Sequence, residues 1–551
     1  MRHLPYLLLL FSISCNADPL PDEFELASRL AQEGAAQLAL AHVEAAQPAR
    51  ADGARWAGWE LLRLSLLTRL DRPQDVLRRV AELPRETSAD TLQTANRLAA
   101  MAALKLGQGA AARGYLARLF WQSELTQKQH QEARQLVARS YIVEGRPADA
   151  YPVMLRLRQD YPPVAPDLLE AYLQALLQAG LAEQAAEWLP QLRDTNPLNL
   201  LVRLDAGLLA PQAVVEAARQ AQQKKPAAAN WTVILKAGQL QKNAAWQAEA
   251  QEQLLAVPKA SGADDLWQAY LAHAETAANQ LNLLTGDDAA WSEQANQQAQ
   301  LSPATARALL AYLARRAKDA ALRADAQLRL ISSLVEQKLG MTAIRLFEQG
   351  TANDLAPAAR YSLGEAAAQA GNYAFAARLW QGLDPAPADI PAQQWQLRRA
   401  EVLVKGGAYG AGSEALRELL PAKEPLTPDA AARVRETALE LQDAGQEAAA
   451  QQAFQLLLPE APASMQRDIL ARLGAMAENR KDYKLAADYF LQAALLPGAP
   501  DASASNARFA AAANLARAGF RQDAKAQYQA VLKTSKDAAQ QESARRALSR
   551  L

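Results

Sequence analysis

The 551 residues exceed what one ordinary hydrophobic core organises, so the length alone predicts several domains or one elongated array of repeats. Half of the residues are hydrophobic when Ala is counted, but aromatics make up only 6%, so much of that half is small, helix-favouring Ala and an all-α chain is expected. The 59 Lys and Arg balance the 59 Asp and Glu without a basic field or an acidic tail, which argues against nucleic acid as a partner. One cysteine, Cys15, and four histidines, His3, His42, His130 and His273, leave no material for a disulfide framework, a zinc finger or a His-rich metal site.

The chain opens with Arg2, an apolar run from Leu4 to Ile13, and then Ser14, Cys15, Asn16 and Ala17. This is the layout of a secretory signal over residues 1–17, and it predicts export to the periplasm. The run is too short for a stable membrane anchor, and no later segment reaches about 20 uninterrupted apolar residues. Two readings of the cleavage stay open. A cut after Ala17 discards the cysteine and releases a soluble chain. The run Phe11-Ser12-Ile13-Ser14-Cys15 loosely resembles a bacterial lipobox, which would make Cys15 the lipidated first residue of an outer-membrane lipoprotein. Membrane contact is expected only through that anchor. A cysteine-free mature chain suits an oxidising compartment.

From residue 18 onward one pattern recurs: an apolar helix, a turn often marked by Gly, an Ala five residues later, a large apolar residue four beyond it, and often a Pro after that. Gly145, Ala150, Met154 and Pro162 make one copy, and Gly180, Ala185, Leu189 and Pro197 make the next. Earlier copies are Gly34 with Ala39 and Val43, Asp71 with Val76 and Val80, and Gly107 with Ala112 and Leu116. Later copies are Gly371 with Ala376 and Trp380, Gly407 with Leu416, Gly445 with Ala450 and Phe454, Asp482 with Ala486 and Phe490, and Gly519 with Ala524 and Tyr528. The spacing is that of a packed helix pair. Gly accepts the left-handed conformation that ends the first helix, Ala lets the second approach closely, the large residue fills the interface, and Pro stops the second helix. Each pair leaves an apolar face uncovered, so neighbours must stack.

This pattern resembles the tetratricopeptide repeat family. The copy with Leu473-Gly474, Tyr483, Ala486, Phe490 and Ala493 carries the family's residue types at nearly every signature position, with Lys481 in place of the turn Gly. Leu363-Gly364, Gly371, Tyr373, Ala376 and Trp380 form a second match. The resemblance spans about 25–198 and 340–535 and implies a right-handed α-solenoid of stacked antiparallel helix pairs, made irregular by spacings longer than the family's usual repeat. The expected organisation is an N-terminal solenoid block over 18–197, a divergent middle block or junction over 198–340, a C-terminal solenoid block over 341–537 and a capping helix over 538–551. In the middle block the markers fade, four tryptophans occur (Trp231, Trp246, Trp267, Trp291), and residues 283–288 read as a loop.

No phosphate-binding Gly loop, zinc-spaced histidine pair or nucleophile elbow occurs, so no enzyme activity and no cofactor are expected. The acidic pairs Asp264-Asp265 and Asp287-Asp288 read as helix-capping groups, and the tryptophans as filler between helices. In this family the first helices of successive pairs line the binding groove. Carried over copy by copy, the groove positions are Arg139, Tyr361, Glu365, Glu401, Arg435, Glu478, Asn479 and Arg517, a polar set suited to an extended peptide. The resemblance therefore implies a non-catalytic scaffold for one or more envelope proteins, in outer-membrane biogenesis, pilus or polysaccharide export machinery. The alternative is a solenoid that binds a glycan or peptidoglycan strand.

Overall fold

The computed structural model describes residues 22–551 apart from 195, 284–286, 384–385, 388–389, 422–424 and 498–501. The export segment, Cys15 and the central residues of the expected loop, Leu284, Thr285 and Gly286, lie outside the described residues. The described residues form thirty α-helices and two short 3-10 turns. They divide into two compact units, 1–233 and 234–551.

Unit 1 is a run of helix pairs: α1 (Asp22–Gln32) with α2 (Ala36–Ala46), α3 (Gly53–Arg69) with α4 (Pro73–Ala81), and α5 (Ala89–Lys105) with α6 (Gly109–Gln122). There follow α7 (Gln127–Val143) with α8 (Pro147–Asp160), α9 (Pro166–Gln178) with the short α10 (Ala182–Ala186), and α11 (Pro197–Asp205) with α12 (Pro211–Lys224). The division between units falls within α13 (Ala228–Leu240).

The same turn closes nearly every pair. Gly107 has φ 74°, its N–H bonds the Leu104 carbonyl at 3.1 Å, and the next N–H, of Gln108, bonds the Ala103 carbonyl at 2.8 Å. Gly145 with Arg146 and Gly180 with Leu181 repeat this double closure. The residue after the glycine is also the N-cap of the second helix, so one left-handed position ends one helix and starts the next. Pro opens α4, α8, α9, α11 and α12, where its missing N–H costs nothing.

Unit 2 begins with α14 (Ala244–Leu255), α15 (Ala263–Gln280), α16 (Asp288–Leu301), α17 (Pro303–Arg316), α18 (Ala320–Glu336) and α19 (Gly340–Phe347). Regular pairs then resume: α20 (Pro357–Gln369) with α21 (Tyr373–Trp380), α22 (Ala392–Lys405) with α23 (Tyr409–Leu419), and α24 (Pro428–Asp443) with α25 (Glu447–Leu457). The last pairs are α26 (Ala463–Asn479) with α27 (Tyr483–Leu495) and α28 (Ala502–Arg517) with α29 (Arg521–Thr534), followed by α30 (Ala538–Leu548). One contiguous core runs from Ala248 to Met476. In four of the five regular pairs the marker Ala and the large residue four places later are buried together, Ala376 with Trp380, Ala450 with Phe454, Ala486 with Phe490 and Ala524 with Tyr528, and in α23 Gly412 takes the Ala position beside Leu416. Gly364 faces the Trp380 indole, which a Cβ would overlap, and Gly474 faces Phe490, whose ring a Cβ would approach to 3.0 Å. Beyond α29, Ala544 of α30 is buried in a cluster with Tyr528 and Val531.

The left-handed turn also occurs without glycine, at Asp71, Lys242, Asn282, Lys338 and Lys481. Between Asn282 and Lys338 the interval is far longer than elsewhere because α17 is an additional helix. The division between the two units falls inside the expected middle block or junction over 198–340. The division lies at 233/234, and α14 to α19 are packed into unit 2 by contacts that skip neighbours. Thr342 donates to the Glu252 carbonyl at 2.7 Å, Arg345 donates to the carbonyls of Leu255 and Val257, and the Trp267 indole donates to the Leu346 carbonyl at 3.2 Å. At their centre Glu252, 2% exposed, receives both arms of Arg307, 6% exposed, at 2.8 and 2.6 Å, and the Tyr270 hydroxyl at 2.8 Å.

Candidate protein-binding face

The first helices of the C-terminal pairs lie side by side, and charged residues bridge every step between them. From α20 to α22, Glu365 receives Arg398 through two contacts at 3.1 and 3.2 Å. From α22 to α24, Glu401 receives Arg433 at 2.5 and 2.7 Å, while Lys405 meets Glu440 at 3.5 Å. Arg435 of α24 donates to Asp468 of α26 at 3.1 Å, and Arg517 of α28 donates to Glu478 of α26. Unit 1 has its own rung, Arg139 of α7 on Asp167 of α9 at 2.5 Å.

Six of the eight residues assigned to the groove from sequence are thus members of these pairs. Their partners, Asp167, Arg398, Arg433 and Asp468, escaped the sequence reading; the signal was a complementary charge roughly one repeat further on. Tyr361 stacks parallel on Trp380 at 5.8 Å and meets the edge of Trp395 at 5.2 Å. Burial pushes its hydroxyl above the ordinary phenol range, so it acts as a neutral donor. Asn479 is exposed, with no hydrogen-bond partner among the described residues.

The electrostatics follow from partial burial. Burial opposes charge on Arg398, but the hydrogen bond and charge of Glu365 outweigh it and raise its pKa. The Glu401 hydrogen bond does the same for Arg433. Burial raises the Glu440 carboxyl above the usual range against the opposing pull of Lys405. Pairs this exposed contribute only about 0.2–1 kcal/mol each. Glu401, 8% exposed and gripped by a two-pronged guanidinium, is the stronger rung. The rungs chiefly fix the register of neighbouring helices and leave alternating acid and guanidinium groups along one face.

Other sequence candidates have local roles. Asp264 and Asp265 sit in the first turn of α15; Asp287 caps α16 by accepting the Ala290 N–H at 3.0 Å; Asp288 accepts the Lys318 N–H at 2.7 Å. Trp267 and Trp291 are buried: Arg315 covers the Trp267 ring at 4.3 Å, and Trp291 stacks on Tyr312 at 4.0 Å. A cleft of about 400 Å³ adjoins Trp267. Its Asp354 is occupied by the backbone N–H and hydroxyl of Thr351, and its Arg345 by the backbone carbonyls named above. No group of three or more His, Cys, Asp or Glu among the described residues is arranged to hold a metal ion. No described helix is long and apolar enough to cross a membrane.

The helix pairs, their shared turn and the stacking of first helix on first helix define a tetratricopeptide-like α-solenoid. No protein-family model matches the chain, and no curated protein matches it. Among solved structures it is similar to the Cut9–Hcn1 hetero-tetramer of the APC/C, at 12% identity over 96% of both chains with a TM-score of 0.24. It is also similar to Naa15/Naa10 bound to HypK-THB, at 11% identity over 96% of this chain and 78% of that one with a TM-score of 0.34. A third is the pentatricopeptide repeat protein PPR10 from maize, at 14% identity over 96% and 83% with a TM-score of 0.32. At these scores the superpositions carry no argument, and the architecture rests on this chain's own turns and buried positions.

Proposed function

We propose that the chain is a non-catalytic scaffold that binds protein partners along the face of its first helices. The observation that carries this reading is the unbroken series of charged rungs from α20 to α28. A face whose donors and acceptors are already held in place loses little entropy when an extended polar peptide lies across it. Such a peptide can exchange its own carboxylates and amides into the half-exposed rungs while Asn479 and Tyr361 offer further hydrogen bonds. The export layout at residues 1–17 supports a periplasmic location, soluble or anchored through Cys15, and envelope proteins as partners in a multi-protein assembly.

The test is in-cell crosslinking of the full-length chain, with p-benzoylphenylalanine installed at Asn479, at Glu436 on α24, or at Lys525 on α29 as a control. The expected result is capture of the same few envelope proteins from Asn479 and Glu436, not from Lys525. Equal capture from all three positions, or capture only from Lys525, refutes the assignment of the face. Recovery of the products from the cytoplasm refutes the envelope setting.

A further inference from the structure

A second surface lies in unit 1, on residues that take no part in the charged rungs. Trp121, the penultimate residue of α6, is 89% exposed. It borders an open cleft of about 460 Å³ formed with α7 and α8. Beside it the Phe120 ring stacks on His130 of α7, with centroids 5.8 Å apart and planes within 23°. Pro152 of α8 also lines it, together with Arg134 of α7 and Arg156 of α8. Arg134 is held by Asp160 and lies over the Tyr161 ring at 5.7 Å. Arg156 is exposed and has no hydrogen-bond or ion-pair partner among the described residues.

Neither the repeat packing nor the charged rungs require this arrangement. A tryptophan needed for packing is buried, as Trp59, Trp188, Trp380 and Trp395 are. Trp121 instead leaves a large apolar ring in water beside an apolar floor and a free guanidinium. Aromatic rings and Arg at the edge of a small apolar cleft are the residue types that anchor protein interfaces. No carboxylate lines the cleft, so its charge complements an acid.

We propose that this cleft is a docking site for a short protein segment with one aromatic or large aliphatic side chain next to an Asp or Glu. The side chain enters between Trp121 and Pro152, and the carboxylate meets Arg156. The cleft shares no residue with the charged rungs, so a scaffold built this way holds two partners at once.

Three synthetic decapeptide pools test this. Each has a fixed central Phe flanked by Asp and Glu, by Asn and Gln, or by Lys and Arg. The full-length chain is labelled with 5-fluorotryptophan, and the Trp121 resonance is assigned by its loss in Trp121→Phe. The acidic pool is expected to shift the Trp121 resonance at least tenfold more tightly than the neutral pool. Arg156→Glu should reverse the order of acidic and basic pools, and Trp121→Ala, which lacks the reporter and is followed by isothermal titration calorimetry, should bind the acidic pool at least tenfold more weakly than wild type with unchanged thermal unfolding. Glu401→Gln, in unit 2, should leave the titration unchanged. No shift with any pool, or equal shifts with all three, overturns the proposal. So does a stronger response to a soluble peptidoglycan fragment or to single-stranded RNA than to the acidic pool.

Discussion

Replacing Glu252 by Ala strips the anion from a guanidinium that has almost no access to water. Arg307 places Nε and Nη2 on the two carboxylate oxygens at 2.8 and 2.6 Å, and its Nη1 is already buried without a partner. Removing one member of a buried pair costs about 3–5 kcal/mol, because the other charge stays dehydrated. Tyr270 adds a third bond to the same carboxylate, and burial holds its hydroxyl well above the ordinary phenol range, so it stays a neutral donor. Tyr270→Phe should therefore cost only about 1–2 kcal/mol. The double variant Glu252→Leu with Arg307→Met removes both charges and should be far closer to wild type than either single change. Hydrogen exchange read peptide by peptide on the full chain is the appropriate assay, since repeat arrays need not unfold in one step. The loss of protection should centre on α14, α15, α17 and α19. A loss under about 1 kcal/mol for Glu252→Ala, or a double variant as unstable as the single one, would refute the reasoning.

Gly364→Ala places a Cβ within the Trp380 indole, so it should destabilise α20 and α21 by about 1–3 kcal/mol, measured by exchange in those helices; unchanged protection there would show that the ring can move aside. Lys481 holds φ 63° in the turn between α26 and α27, and Lys481→Gly should relieve about 1 kcal/mol of strain and raise the unfolding midpoint. Burial lowers the His273 pKa, so the folded chain favours the neutral ring, whose Nε2 lies 3.2 Å from the Thr305 hydroxyl. Stability from this group is present above the unfolded pKa and is lost as pH falls towards the lower folded value. His273→Gln should flatten the decline in thermal stability between about pH 7 and pH 5, and parallel curves for the two proteins would count against the assignment.

The helix pairs were legible because their turns use glycine, and glycine at a fixed distance from Ala and a large apolar residue leaves a periodic trace. The trace breaks where Lys242, Asn282 and Lys338 adopt the same left-handed conformation, since a residue with a Cβ carries no mark of its φ angle. Together with the additional helix α17, this hid the repeat phase of the central region. The bonds from Thr342, Arg345 and Trp267 to backbone carbonyls leave no periodic signal either, because a carbonyl acceptor has no residue type. On the charged face, phase placed Glu365, Glu401, Arg435 and Glu478 on first helices. It gave no hint that Arg398, Arg433, Asp468 and Arg517 would meet them, because pairing depends on the stagger between neighbouring helices. Trp121 was invisible for the opposite reason: an aromatic at a helix end reads as core until its exposure is known.

The contact between Glu252 and Thr342 joins residues 90 positions apart, whereas a regular pair contacts only its neighbour. Closing a loop of that length costs about 0.8 kcal/mol more than closing one of about 36 residues. That difference is small in equilibrium terms, but it must be met before the Thr342 bond is gained, whereas the Arg307–Glu252 pair closes a shorter loop of 55 residues. The terminal pairs can therefore zip and unzip one at a time, while α14 to α19 form or melt as a block. Under tension applied along the chain, helix pairs should be shed in small steps from the ends, and this latch should give way last, in a single larger event.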